Sequence, residues 1–488
     1  MKKALILILV VLMLLPAIAC QKPQTDNSQT TDGTSDVASS GTQGDSSSGE
    51  PQLELPNTNL NGFTMTILRS SSYFTEPGVW SEEEMSGDQV SDEVFKRNAL
   101  IEKTYNCKIE LLPTTAEHPS HEISKYVSSG DGAVDMMLDG GTYISQTLQY
   151  YTDLNTLDYF DFEKPWWNQD FNEGVSLGNK LFLTVGSYLL KARQGIYHII
   201  FNKVVADDID IDPDSLYQMV RDNEWTLDVM TTFAKKAKMD LNGDGVFTYE
   251  DRYGLLGELY CNWTLSLGAG FRCVDKDVDD LPVVTFGSER NSDVIDAVLK
   301  MTSDLETTLY AERITGVDNY WTTKNELSVT NNRWLFLCCG LGDRMRTMEQ
   351  DYGVLPCPKL DEQQDRYYHD ASLGNSPVTT IPLSATDANK VAFILEAMSY
   401  YSYRDVLPVF YQNYLNTKLA RDSESVEMLK LIHDSLYYDV GAMFDWGMHS
   451  IVAFMTKNTL AKDYDAYRVK IRSKINASLD VIGVPNIE

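Results

Sequence analysis

Val134-Asp135-Met136-Met137-Leu138, stopped by Gly140-Gly141, completes the series of segments that sets the fold. Upstream, Phe63-Thr64-Met65-Thr66-Ile67-Leu68 alternates apolar and polar residues with the period of two that sends side chains to opposite faces of a strand. Ser91 is placed to cap a helix that opens on Asp92 and Glu93 and sets Val94, Ile101 and Tyr105 along one face. Cys107-Lys108-Ile109-Glu110-Leu111 alternates again, a helix around Glu122 to Val127 follows, and Val134 to Leu138 is the next strand. Strands that alternate with helices predict an α/β chain with a parallel sheet wrapped on both faces. Ligands of such sheets sit beyond the carboxyl ends of the strands. The Ser70 to Trp80 loop and the Asp139 to Tyr143 turn are therefore expected at one crevice.

Working outward, the first twenty residues form an export signal: Lys2 and Lys3, an apolar run from Ala4 to Leu15, then Pro16-Ala17-Ile18-Ala19-Cys20. The small residues before Cys20 resemble a bacterial lipobox, which implies acyl chains on Cys20 and anchoring to the outer face of the cell membrane. Gln21 to Pro51 is nearly all Ser, Thr, Gly, Gln and Asp, a composition that cannot bury enough surface to fold and reads as a disordered tether. The body that follows is long enough for two lobes. Across 488 residues, 41 Lys+Arg face 71 Asp+Glu, a net charge of −30 that repels phosphate backbones and anionic lipid heads and argues against nucleic acid as a partner. Cys107, Cys261, Cys273, Cys338, Cys339 and Cys357 show no CxxC and no framework spacing, so buried free thiols are expected rather than a disulfide scaffold.

Several further segments occur in a fixed order. Asp135-Met136-Met137 is followed by Tyr151-Thr152-Asp153-Leu154-Asn155, Lys164-Pro165-Trp166-Trp167, Gly178-Asn179-Lys180-Leu181-Phe182 and Ile200-Phe201-Asn202-Lys203. Glu224-Trp225-Thr226-Leu227-Asp228, Tyr352-Gly353-Val354-Leu355-Pro356-Cys357-Pro358-Lys359 and Thr379-Thr380-Ile381-Pro382 continue it. The series resembles the extracellular solute-binding proteins of bacterial ABC importers, family 1, of the carbohydrate type. The resemblance implies a two-lobed periplasmic-binding-protein-like fold whose lobes close on a small solute, usually a sugar or oligosaccharide, and deliver it to the transmembrane subunits of a permease. It implies a monomer and no catalysis. On this reading residues 1–20 are the signal and 21–57 the tether. Lobe 1 takes 58–193 and 330–372, and lobe 2 takes 194–329 and 373–488. Tyr197 to Phe201 and Val378 to Ile381 are the expected hinge strands.

Asp240-Leu241-Asn242-Gly243-Asp244-Gly245-Val246-Phe247-Thr248-Tyr249-Glu250-Asp251 carries the sharpest chemical pattern. Asp240, Asn242 and Asp244 fill positions 1, 3 and 5 of an EF-hand-type loop, Gly245 the turn, the Val246 carbonyl position 7, Thr248 position 9 and Asp251 position 12. Asp251 is one methylene shorter than the usual Glu. A structural calcium ion is one reading, and an ordinary Asx and glycine turn is the other.

Aromatic side chains supply flat apolar area with few rotors to freeze, which suits a sugar face. The candidates for ligand contact are Trp80, Tyr143, Trp263 and Trp446, with Arg344 as a polar partner, while Trp166 and Trp321 are weighed alongside them. Each is also open to a core-packing role. A neutral mono- or oligosaccharide is the expected solute. The rival classes are a lipid-anchored glycoside-active enzyme and a polysaccharide-binding surface module. A carboxylate pair for glycoside hydrolysis is compatible with so acidic a chain. No Gly-x-Ser-x-Gly, HExxH or phosphate loop occurs. Pro119, between His118 and His121, breaks the helical register that zinc ligands there would use.

Overall fold

The computed structural model describes residues 51–71, 76–80, 87–340, 347–371, 376–412 and 420–487. Cys20, the signal, the tether up to residue 50 and Arg344 lie outside the described residues. The predicted alternation appears as β1 (Phe63–Ser70), β2 (Cys107–Thr114) and β3 (Met136–Gly140), with β1 parallel to both β2 and β3. The helix between β1 and β2 runs Gln89–Tyr105. Its cap is Asp88, not Ser91: the Asp88 carboxylate accepts from the Val90 and Ser91 N–H groups, each at 3.0 Å. A carboxylate here satisfies two orphan donors and faces the positive end of the helix dipole, so it outcompetes the hydroxyl three residues on.

The chain then builds a second sheet from β4 (Tyr197–Asn202) and β5 (Tyr253–Gly257). An antiparallel pair, β6 (Val274–Lys276) and β7 (Pro282–Val284), interrupts it before β8 (Thr308–Tyr310), β9 (Trp334–Gly340) and β10 (Tyr352–Leu355) join. The order is β10-β4-β9-β5-β8, with β4 antiparallel to both neighbours and β5 parallel to β8 and β9. After β11 (His369–Asp370) the chain returns to the first sheet as β12 (Pro377–Thr380), antiparallel to β3, giving the order β12-β3-β1-β2. A late strand, β13 (Leu436–Tyr437), pairs with β11. The fold is a two-lobed α/β architecture, one sheet to each lobe.

This topology redraws two sequence expectations. Residues 334–340 and 352–355 belong to the second sheet, and 377–380 to the first, so the later segments of the two lobes are exchanged relative to the division at 330 and 373. Neither expected hinge strand is a free linker. All six residues of β4 are buried, and β12 pairs with β3 from Pro377↔Gly140 to Thr380↔Met137. Both strands are buried along their whole length, and a strand covered on both faces is sheet interior before it is anything else. The chain passes from the first sheet to the second in the segment between Gly140 and Tyr197 and returns in the segment between Leu355 and Pro377.

Polar burial fastens the first of these segments to the first lobe. The buried Glu76 carboxylate accepts from the N–H groups of Gly78 (2.8 Å), Leu190 (3.0 Å) and Lys191 (2.9 Å), while desolvation pushes its pKa up to about 7. Gly78 is required at that approach, because a Cβ there would lie 2.2 Å from the Tyr188 carbonyl oxygen. Buried Arg97 closes the same corner, donating to the Gly78 carbonyl (2.6 Å), the Val79 carbonyl (2.8 Å) and Ser402 Oγ (2.7 Å). Glu396 takes the indole N–H groups of Trp166 (2.8 Å) and Trp167 (2.7 Å), which places that tryptophan pair in the core. The six described cysteines are free thiols, five of them buried. No helix among the described residues is long and apolar enough to cross a membrane.

Candidate functional site

A cavity of about 460 Å³ lies where strand carboxyl ends from both sheets face each other. The turn after β3 contributes Thr142, Tyr143 and Gln146. The segment after β5 contributes Glu258, Leu259 and Tyr260, and the one after β8 contributes Glu312. Tyr197 enters from the start of β4, which runs antiparallel to β9, and Trp321 from the helix Tyr320–Thr330. The far wall comes from the C-terminal stretch, with Asp445, His449, Ser450 and Phe454. This is the crevice that α/β topology favours for ligands.

The lining is held in place from behind. Tyr197 donates its hydroxyl to Glu258 Oε1 at 2.7 Å, and the Tyr197 and Tyr260 rings sit 5.1 Å apart. Tyr260 donates to Asp370 Oδ2 at 2.7 Å. Burial holds both phenols far above their ordinary pKa, so each keeps the proton it donates, and burial likewise pushes Asp370 up to about 7. The Leu259 N–H donates to both oxygens of Glu312, at 3.1 and 3.3 Å. Tyr143 stacks on His118 with centroids 3.4 Å apart and planes 18° from parallel. His118 Nδ1 is in turn 3.2 Å from Asp139 Oδ1, and the other Asp139 oxygen accepts from the Ser120 N–H (2.9 Å) and hydroxyl (2.6 Å).

Two features mark the far wall. Asp445 adopts φ +45°, a left-handed backbone that Asp and Asn tolerate better than other side-chain-bearing residues and that turns the chain just before Gly447 (φ +88°). His449 Nε2 lies 3.2 Å from Ser450 Oγ, and its Nδ1 is buried without a hydrogen-bond partner. Desolvation lowers the His449 pKa, so the imidazole is neutral near pH 7.

Of the predicted ligand contacts, Tyr143 lines the cavity and three others do not. Trp263 is fully buried, edge-on to Phe271 and His449. Trp446 is 2% exposed, stacked near Phe444 with its indole N–H on Ser478 Oγ. Both form the wall behind the lining, because turn-like neighbours in sequence do not decide which way a side chain faces. Trp80 is half-buried against the core, away from the lining. Arg344 lies outside the described residues. Trp321, weighed but not chosen from sequence, is 38% exposed at the cavity, and Phe454, not considered at all, is 67% exposed there. Glu258, Tyr260 and Glu312 were also missed, although the carboxyl-end rule applied to β5 and β8 leads directly to them.

In the acidic loop, Asp240 accepts from the N–H groups of Gly243 (2.7 Å) and Gly245 (2.8 Å), Asn242 from Asp244 (2.9 Å) and Asp244 from Val246 (2.7 Å). Asp251 accepts from Leu241 (3.0 Å) and Thr248 (2.8 Å), bonds that outweigh its burial and lower its pKa. Among the described residues no three His, Cys, Asp or Glu side chains converge as they would around a metal ion.

No protein-family model matches this sequence, and no curated protein matches it. Solved structures do resemble it. An ABC substrate-binding protein of Listeria monocytogenes, in complex with cycloalternan, aligns with TM-score 0.51 and 12% identity over 87% of this chain and 100% of that one. The sugar-binding protein MalE of the phytopathogen Xanthomonas citri aligns with TM-score 0.51 and 11% identity over 86% and 97%. The fold is that of the two-lobed solute-binding proteins. At such identity the likeness is one of architecture, and the side chains of the cavity speak for themselves.

Proposed function

We propose that this chain is the extracytoplasmic receptor of an ABC importer and captures a mono- or oligosaccharide between its lobes for delivery to a membrane permease. The observation that carries the reading is the cavity at the facing strand ends, walled by Tyr143, Tyr197, Tyr260, Trp321 and Phe454 and edged by carboxylates. Aromatic faces take the apolar faces of sugar rings, and oriented carboxylates take their hydroxyls. The sugar ligands named for the two similar structures, a cycloalternan for one and sugars in general for the other, support it. Binding closes the lobes, because a ligand that touches both stabilises the closed state by its differential contacts. Calorimetric titration against a panel of sugars, with small-angle scattering for compaction, tests this reading. Hydrolysis of a glycoside by the purified protein would overturn it in favour of an enzyme.

Two attachments belong to the same proposal. Acyl chains on Cys20 would hold the body at the outer face of the membrane. A fatty-acid analogue should label the native protein and miss Cys20→Ser, and equal labelling refutes the anchor. The 240–251 loop is proposed to take structural calcium through Asp240, Asn242, Asp244, the Val246 carbonyl, Thr248 and Asp251. A ligand bound only by the folded state adds roughly 2.7 kcal/mol at a hundredfold excess over its dissociation constant. A calcium-dependent rise in Tm that Asp244→Ala abolishes supports this. No change up to millimolar calcium makes the loop a turn closed by its own backbone bonds.

A further inference from the structure

Glu117-His118-Pro119-Ser120-His121-Glu122, a segment whose proline denies it a helical zinc site, packs behind Tyr143 at the edge of the cavity. Pro119 opens a short helical turn, Pro119–Glu122, and His118 stays extended ahead of it, with φ −118° and ψ 104°. The turn carries Ser120 to the carboxyl end of β3, where its N–H and hydroxyl occupy one oxygen of the fully buried Asp139. The Gly140 N–H (2.8 Å) and His118 Nδ1 (3.2 Å) take the other. His118 is itself buried, and its imidazole lies nearly parallel to the Tyr143 ring, with centroids 3.4 Å apart. His121 stands edge-on to the pair, 5.4 Å from the His118 ring and 5.9 Å from that of Tyr143. Tyr143 is half-buried, and among the described residues it is the one aromatic that the loops of the first sheet bring to the cavity lining.

We infer that His118 is a positioning residue for solute capture: pinned on Asp139, it holds the Tyr143 ring in one orientation on the first lobe's side of the cavity. The inference rests on the receptor reading above. A solute that closes two lobes needs contacts from both. On the first lobe's side Tyr143 offers the largest of them, beside Thr142 and Gln146. A loose aromatic on a turn would have to be ordered by the solute, and affinity would fall by that ordering. Stacked beforehand on a buried imidazole, Tyr143 meets the solute already ordered. His118 does not line the cavity, so it acts on the solute through Tyr143.

Calorimetric titration with maltotriose and cycloalternan, and carbon-13 histidine NMR of the ligand-free protein, test the inference. In the native protein one imidazole should resonate upfield, as protons over an aromatic face do. That resonance should vanish in His118→Asn and move downfield in Tyr143→Ala. His118→Asn removes the flat ring but keeps an amide N–H for Asp139, so Tm should hold while affinity falls about two- to tenfold. Tyr143→Ala should weaken binding further, and adding His118→Asn to it should bring no additional loss, since the two act as one unit. Unchanged affinity in His118→Asn, an additional loss in the double variant, or ordinary shifts for every imidazole of the native protein overturns the inference. If neither sugar binds the native protein, the choice of solute fails, and if His118→Asn does not fold, its affinity says nothing. In both cases the resonance decides: an upfield imidazole that relaxes in Tyr143→Ala upholds the positioning, and its absence refutes it.

Discussion

The lining of the cavity and the wall behind it use the same residue types for opposite ends. Trp263 and Trp446 in the wall are at most 2% exposed, while Trp321 and Phe454 in the lining are 38% and 67% exposed. Asp370 in the wall is buried and spends an oxygen on Tyr260, whereas Glu258 in the lining is half-exposed and accepts from Tyr197. Whether an aromatic ring or a carboxylate faces the cavity or the core behind it is decided here by where its backbone aims it. The wall should answer in stability and the lining in affinity.

The largest expected effect is in the wall. Trp263→Ala empties a fully buried site and should cost roughly 3–5 kcal/mol of unfolding free energy in a denaturant titration. Loss of affinity at unchanged stability would break the comparison. Next comes pH. Glu76 and Asp370 have folded pKa values near 7, above their ordinary 4.5 and 3.8, so the native state binds more protons than the unfolded chain between those limits. Stability contributed by their neutral forms is lost as pH rises through about 7. Buried His198 and His433, lowered to about 4 and about 3, act in the opposite sense below 6.5 and offset the carboxyls there. Unfolding free energy should thus fall between pH 6.5 and about 8, by on the order of 1–2 kcal/mol, and fall less in Asp370→Asn. A flat or rising curve in that window refutes the buried-acid assignment. The smallest effect on stability is expected in the lining. Trp321→Ala and Phe454→Ala should change unfolding free energy by no more than about 0.5 kcal/mol. Each should weaken solute binding about tenfold or more, or about 1.4 kcal/mol. A fall in Tm without loss of binding would move these rings into the wall.

The first sheet was readable because period-two alternation in β1 and β2 and the glycine stop after β3 are local signals, and the capped helix Leu227–Ala237 likewise follows from Thr226. Lobe membership was not, since β12 finds its place only by pairing with a strand about 240 residues earlier. The site was half legible. Tyr143 follows from the carboxyl-end rule, and Glu258 follows from the same rule once Tyr253–Gly257 is recognised as a strand. Phe454 carries no such signal, for it reaches the cavity from the C-terminal stretch, outside both sheets.

That late return of the chain also sets an order of assembly. The second sheet is drawn from one stretch between Tyr197 and Leu355, so it can be completed as soon as that stretch has been synthesised. The first sheet waits: until residues 377–380 arrive, one edge of β3 stands unpaired, a row of free N–H and C=O groups of the kind that recruits other strands. Destabilising the β12–β3 pairing should therefore show first as aggregation during synthesis and refolding, before any change in the cavity of the molecules that do finish.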